Sequence, residues 1–167
     1  SKFHNAFEGG LCDHSMNVFR RLKSLCAVEA DNQKNASNQA LKNLGLVTPE
    51  SIAICGLLHD ICKVNFYVVE MRNKKEGNEW IKVPYFTIDE EVPYGHGEKS
   101  VYIISGFMRL TRDEAMAINW HMGGFDTRVK GGDYSLSSAF QKHPLAALTH
   151  IADMEATYFD EETGVQI

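Results

Sequence analysis

The sequence predicts a mostly α-helical fold with one inserted β-hairpin, and three observations lead there. Apolar residues recur at helical spacing through most of the chain. Two central segments, Phe66 to Met71 and Trp80 to Ile88, turn instead to β-branched and aromatic residues on either side of a polar tip. Helix-start signals stand ahead of helical stretches at Thr48-Pro49, at Thr111-Arg112-Asp113-Glu114 and at Pro144. With 167 residues, 44% of them hydrophobic and 23% charged, the chain is expected to form a single domain over residues 1–167, long enough to bury a proper core.

Taken in order, Leu11 to about Ala30 carries Leu11, Met16, Val18, Phe19, Leu22, Leu25 and Cys26 at helical spacing, after a break at Gly9-Gly10. Asp31 to Asn35 is polar and reads as a loop. A short helix is expected over Ala36 to Leu44, with Gly45 as its C-terminal cap. The helix opened by Thr48, with Pro49 at its first position, is expected to run to about Cys62. The hairpin follows, over about residues 66–88, with Asn73-Lys74-Lys75-Glu76-Gly77-Asn78 as its tip. Its aromatic residues Tyr67, Trp80, Tyr85 and Phe86, with Tyr94 nearby, are expected to pack it onto the helices; a stacking surface for a nucleobase or a dimer contact is the other use of such residues. Helical spacing resumes from Gly97 to Leu110 and from Thr111 to His121, where a capping box opens the helix and Gly123-Gly124 ends it. Residues 125–142 read as an irregular loop, and Pro144 opens a last helix to about Tyr158.

The net charge of −5, from 17 basic and 22 acidic side chains, leaves no global basic surface for a long nucleic acid. A small phosphorylated molecule or a short single-stranded oligonucleotide end is compatible with it. Four cysteines without a CxxC pair favour a reduced, cytoplasmic setting. No apolar run approaches the ~20 residues of a membrane span, and no signal peptide opens the chain. The start at Ser1 is compatible with a trimmed chain that carried a further N-terminal domain.

The chemistry concentrates at His59-Asp60, which closes the apolar run Ile52-Ala53-Ile54-Cys55-Gly56-Leu57-Leu58. A buried Asp needs a cation or hydrogen-bond donors. A lone histidine on an apolar helix is more often a hydrogen-bonded core residue than a ligand. Here, however, His14, His96 and His121 each lie on a further helical stretch, and Asp153 on a fifth. Imidazole and carboxylate together suit borderline divalent metals such as Mn, Fe, Co, Ni or Zn. The cysteines fall outside this pattern, which argues against a structural thiolate zinc site. Lys63 follows His59 by four residues and Asp60 by three, so a continuing helix would put it on their face. It is read as either a catalytic proton donor and phosphate ligand or a helix-end lysine reaching solvent.

The runs Gly9-Gly10-Leu11-Cys12-Asp13-His14-Ser15, Leu57-Leu58-His59-Asp60-Ile61-Cys62-Lys63 and Gly95-His96-Gly97, with His121 and Ile151-Ala152-Asp153, resemble the HD-domain superfamily of metal-dependent phosphohydrolases. The resemblance spans about residues 4–158. It looks closest to the HD domain of bacterial 3′-to-5′ exoribonucleases, which also carry an OB-type domain not included in these residues, and to stand-alone bacterial HD hydrolases. It implies a helical bundle in which His14, His59, Asp60 and Asp153 hold one metal. Asp60 would bridge to a second, held also by His96 and His121, so that one or two divalent ions, Mg among the candidates, activate water against a nucleotide or short oligonucleotide. Many two-metal members have two consecutive histidines where this chain has His121-Met122, which bears on how completely a second ion is held. A di-iron oxygenase and a nucleotide-binding regulatory module without turnover are the alternatives within the same fold. His4, Lys99 and Arg128 are the remaining candidates for contacting substrate, Arg128 with Lys130 as part of a phosphate-binding lid. His143 and His150 lie outside the ligand pattern, with His150 expected either behind a ligand or simply packed.

Overall fold

The structure, a computed structural model, describes residues 9–90 and 92–161. Its longest element is α1 (Gly10–Asn32), whose buried side is a ladder of residues four apart: His14, Val18, Leu22 and Cys26. The first ligand candidate is thus the top rung of a core stripe. After α1 come a short α2 (Gln39–Lys42) and a 3-10 turn, Asn43–Leu46, that buries Leu44. This corrects the helix expected over Ala36 to Leu44: Asn38 caps α2 by accepting from Ala40 N, so the helix starts later. Gly45 lies inside the 3-10 turn and does not cap.

α3 (Pro49–Leu58) begins as its sequence dictates, with the Thr48 hydroxyl accepting from Ser51 N at 3.1 Å. It crosses α1 at Gly56, where a Cβ would lie 2.6 Å from Phe19 Cα, so no other residue permits the approach. α3 stops at Leu58 instead of running to Cys62. The His59 Nδ1–H donates to Gly56 O at 3.0 Å, taking the carbonyl that the next backbone N–H of a continuing helix would use. A 3-10 turn, Ile61–Lys63, follows.

The strands β1 (Tyr67–Glu76) and β2 (Glu79–Ile88) pair antiparallel from Tyr67↔Ile88 to Glu76↔Glu79, around a turn with Gly77 at φ 63°. The sequence expectation that this hairpin packs on the helices is not met. Val69, Met71, Trp80 and Ile88 are all more than half exposed, so the ribbon projects from the bundle. It is anchored at its root, where Asp89 N donates to Phe66 O at 3.0 Å and Lys99 Nζ meets Glu90 Oε1 at 2.5 Å while lying over the Phe66 ring.

α4 (His96–Ser105) and α5 (Arg112–Asn119) form the next pair, α5 opened by the full Thr111–Glu114 capping box. They touch at Gly97, where a Cβ would fall 2.2 Å from Asn119 O, and this contact brings His96 beside His121. Residues 125–142 are not a loop, as expected, but contain α6 (Thr127–Lys130) and α7 (Ser135–Lys142). Asp126 accepts from Arg128 N, and Asp133 from Ser135 N, so aspartates nucleate both helices despite the glycines between them. α8 (Pro144–Glu155) buries Leu145, Ala146, Leu148, Thr149 and Ala152 against α1 and α5, and ends in a π-helical turn, Ala156–Asp160. Among the described residues, no single helix is long and apolar enough to cross a membrane.

Candidate metal centre

The six ligand candidates converge from five helices or their ends. His14 comes from α1, His59 and Asp60 from the end of α3, His96 from the first position of α4, His121 from just past α5, and Asp153 from α8. His59, His121 and Asp60 form a closed floor, with side chains exposed by 0%, 0% and 2%; His96, Lys63 and Asp153 form the rim, at 33%, 30% and 18%. Around the floor, His14 Nε2 lies 3.2 Å from His59 Nε2 and 3.2 Å from Asp153 Oδ1. Asp60 reaches both sides: Oδ2 lies 3.6 Å from His14 Nε2 and 3.7 Å from His59 Nε2, while Oδ1 lies 2.8 Å from His96 Nε2 and 3.4 Å from His121 Nε2. Among the described residues, three sets of donors fall within 4.8 Å of one another: His14–His59–Asp153, His59–Asp60–His121 and Asp60–Cys62–His96.

His59 and His121 are held in the orientation that metal coordination would need. His121 makes the same kind of bond just past the end of α5, its Nδ1–H donating to Ile118 O at 2.7 Å. With Nδ1 protonated, Nε2 carries the lone pair that a metal requires, and in both rings it points into the cluster. His121 Nε2 is buried with no hydrogen-bond partner among the described residues, an arrangement that costs free energy unless a cation takes the lone pair. The donor set fits a borderline divalent metal.

The sequence model of the HD domain matches residues 11–157, a stretch that contains all six side chains. The chain belongs to the HD-domain family. No curated protein and no solved structure matches it.

Electrostatics divide the candidate ligands of this HD domain into two kinds. Complete burial pushes His59 down to about 4, so its imidazole is neutral. Burial also opposes charge on His14 and His96, but their neighbours outweigh it: the carboxylates of Asp153, Glu161 and Asp60 push His14 up to about 9, and the Asp60 carboxylate with the Cys62 sulfur pushes His96 up to about 10. Burial likewise works against an ionised Asp60, yet His59, His121, His96 and Lys63 around it hold it well below the usual carboxylate range. Without metal, protons on His14 and His96 thus supply the positive charge the two aspartates demand.

Lys63 is delivered to the site by the 3-10 turn, not by a continuing helix, and its Nζ lies 2.5 Å from Asp60 Oδ2. Burial lowers its affinity for a proton, but Asp60 reverses this and keeps it charged. Lys99 is committed to the root of the hairpin. Arg128 clamps α6 to the end of α5: it bonds Asp126, reaches Asn119 O and Glu98, and lies 4.0 Å over the Trp120 ring. His4 lies outside the described residues. His143 pairs with Asp113 at 2.6 Å, away from the ligands, while His150 Nδ1–H donates to His121 O at 2.7 Å and so stands behind a ligand.

Two residues at the site escaped the sequence reading. The exclusion of cysteine from the pattern fails for Cys62, whose Sγ lies 3.5 Å from His96 Nδ1. Its signal was its place two residues after Asp60. Glu161 Oε1 accepts from His14 Nδ1 at 2.5 Å, and no spacing rule connects positions so far apart.

Proposed function

We propose that this HD domain is a metal-dependent phosphohydrolase acting on a nucleotide or a short oligonucleotide, at a phosphomonoester or a phosphodiester. The observation that carries the reading is the buried Asp60, flanked on both sides by neutral-capable imidazoles and capped on the open rim by a charged lysine. A divalent ion held by His14, His59, Asp60 and Asp153, with a second shared through Asp60 and held by His96 and His121, would acidify a water and neutralise phosphate charge. The chain's own residues supply the rest. His59 and His121 exclude water from the floor and stay fixed by their backbone bonds. Substrate approaches over the rim, where Lys63, kept charged by Asp60, donates a hydrogen bond to a phosphoryl or leaving oxygen as the P–O bond breaks. The nucleotide class rests on the resemblance to exoribonuclease HD domains, and the modest charge of −5 disfavours a long polyanion.

The test is a screen of nucleoside monophosphates, cyclic nucleotides and short oligonucleotides with Mn²⁺, Co²⁺, Ni²⁺ or Mg²⁺, repeated with His59→Ala and Asp60→Ala. Hydrolysis that falls by about 100-fold or more in both variants is expected. Variants as active as the parent overturn the site. A stoichiometric redox-active di-iron centre without hydrolysis favours the oxygenase, and tight nucleotide binding without product favours a regulatory module.

A further inference from the structure

α8 ends by folding its last residues back onto α1. The π-helical turn Ala156–Asp160 buries Ala156 and Thr157 and leads to Glu161, whose side chain is fully enclosed. A carboxylate so enclosed is costly without partners, and its Oε1 accepts from His14 Nδ1. The turn is anchored independently: Arg21 grips Asp160 with two bonds, Nε to Oδ2 at 2.7 Å and Nη2 to Oδ1 at 2.5 Å, and lies 5.9 Å over the Phe159 ring. Arg21 follows His14 by seven residues, about two helical turns, so α1 presents the ligand and the anchor on one side.

We propose that Glu161 is a positioning residue of the metal centre, and that through it metal uptake is coupled to docking of the C-terminal turn. His59 and His121 give their Nδ1–H groups to neutral carbonyls; His14 gives its own to a carboxylate. A carboxylate there fixes the tautomer and ring plane and makes Nε2 a stronger donor. The His14 ring is therefore held by a carboxylate only while the turn is docked. Coupling of this kind is reciprocal: a metal that prefers the docked form also holds the turn in place. Glu161 lies beyond residues 11–157, the stretch matched by the HD family.

The inference rests on the metal-centre reading, and one experiment separates their failures. Mn²⁺ or Zn²⁺ affinity is measured by competition with a chromogenic chelator for the parent, Glu161→Ala, Glu161→Gln and Arg21→Ala, alongside the thermal unfolding of each metal-free protein. Glu161→Ala is expected to weaken the metal by about 10- to 100-fold. Glu161→Gln, whose amide oxygen still accepts from Nδ1, is expected to recover most of that loss. Arg21→Ala, remote from the ligands, is expected to weaken the metal by a smaller but measurable factor. A parent that binds no metal defeats the metal-centre reading itself. A metal-binding parent matched by an equally tight Glu161→Ala overturns the coupling alone. Should Glu161→Ala not fold, Arg21→Ala decides: affinity equal to the parent overturns the proposal.

Discussion

Asp60 is the residue on which both halves of the centre depend, one oxygen facing His14 and His59 and the other facing His96 and His121. Its neighbours hold protons in the metal-free protein that a metal must displace. His14, raised to about 9, and His96, raised to about 10, are charged at pH 7, whereas His59, lowered to about 4, is not. Metal uptake at pH 7 is therefore expected to release up to two protons, and apparent affinity to climb with pH, levelling off above about 10. Calorimetric titration in two buffers of different ionisation heat checks this; uptake without proton release at pH 7 contradicts it. At this scale the convergence of the six candidates was legible because each is a polar residue set into an apolar helical pattern. Cys62 was not, since a cysteine in such a setting reads as a small hydrophobe. Glu161 was not, because its partner lies 147 positions away and helical periodicity reports only near neighbours.

At the scale of elements, the ligands and the helix ends are one feature. α3 stops where the His59 ring takes the carbonyl three residues back, and the His121 ring makes a bond of the same span just past the end of α5, so the backbone of each helix fixes the ring that follows it. Apolar spacing located those helices but extended both past their ends, because periodicity carries no record of a side chain competing for the backbone. Capping chemistry was readable at Thr48 and Thr111, and overlooked at Asp126, as was the turn that Asp133 makes with Ser135 N ahead of α7, because glycines drew the weight. The hairpin was legible as an element, but its exposure was not, since alternation tells the two faces of a ribbon apart without saying that either is covered. An isolated two-stranded ribbon adds little stability of its own. Replacing residues 69–87 with a short turn is accordingly expected to leave far-UV helical signal, cooperative unfolding and metal uptake in place, with the melting temperature lowered by no more than about 2–4 °C, equivalent to roughly 1 kcal/mol. Loss of cooperative unfolding in circular dichroism would show that the ribbon braces the bundle.

For the molecule as a whole, α1 is the spine that joins core, ligand and tail. Its buried ladder begins at His14, its Gly56 crossing sets α3, and its Arg21 holds the turn beyond α8. The bundle and its HD membership were readable from the ordered spacing of five ligand motifs along the chain. How the two ends meet was not, because packing of α1 against α8 joins residues that share no local pattern. The proposed function requires a divalent ion at Asp60, and its most direct test is the metal content of the purified protein. Elemental analysis of the parent and of Asp60→Asn, after identical removal of loosely bound ions and reloading with Mn²⁺, compares the two. The account predicts one to two ions retained per parent chain and a loss of most of them in a folded Asp60→Asn; equal retention by both, or none by the parent, would contradict it.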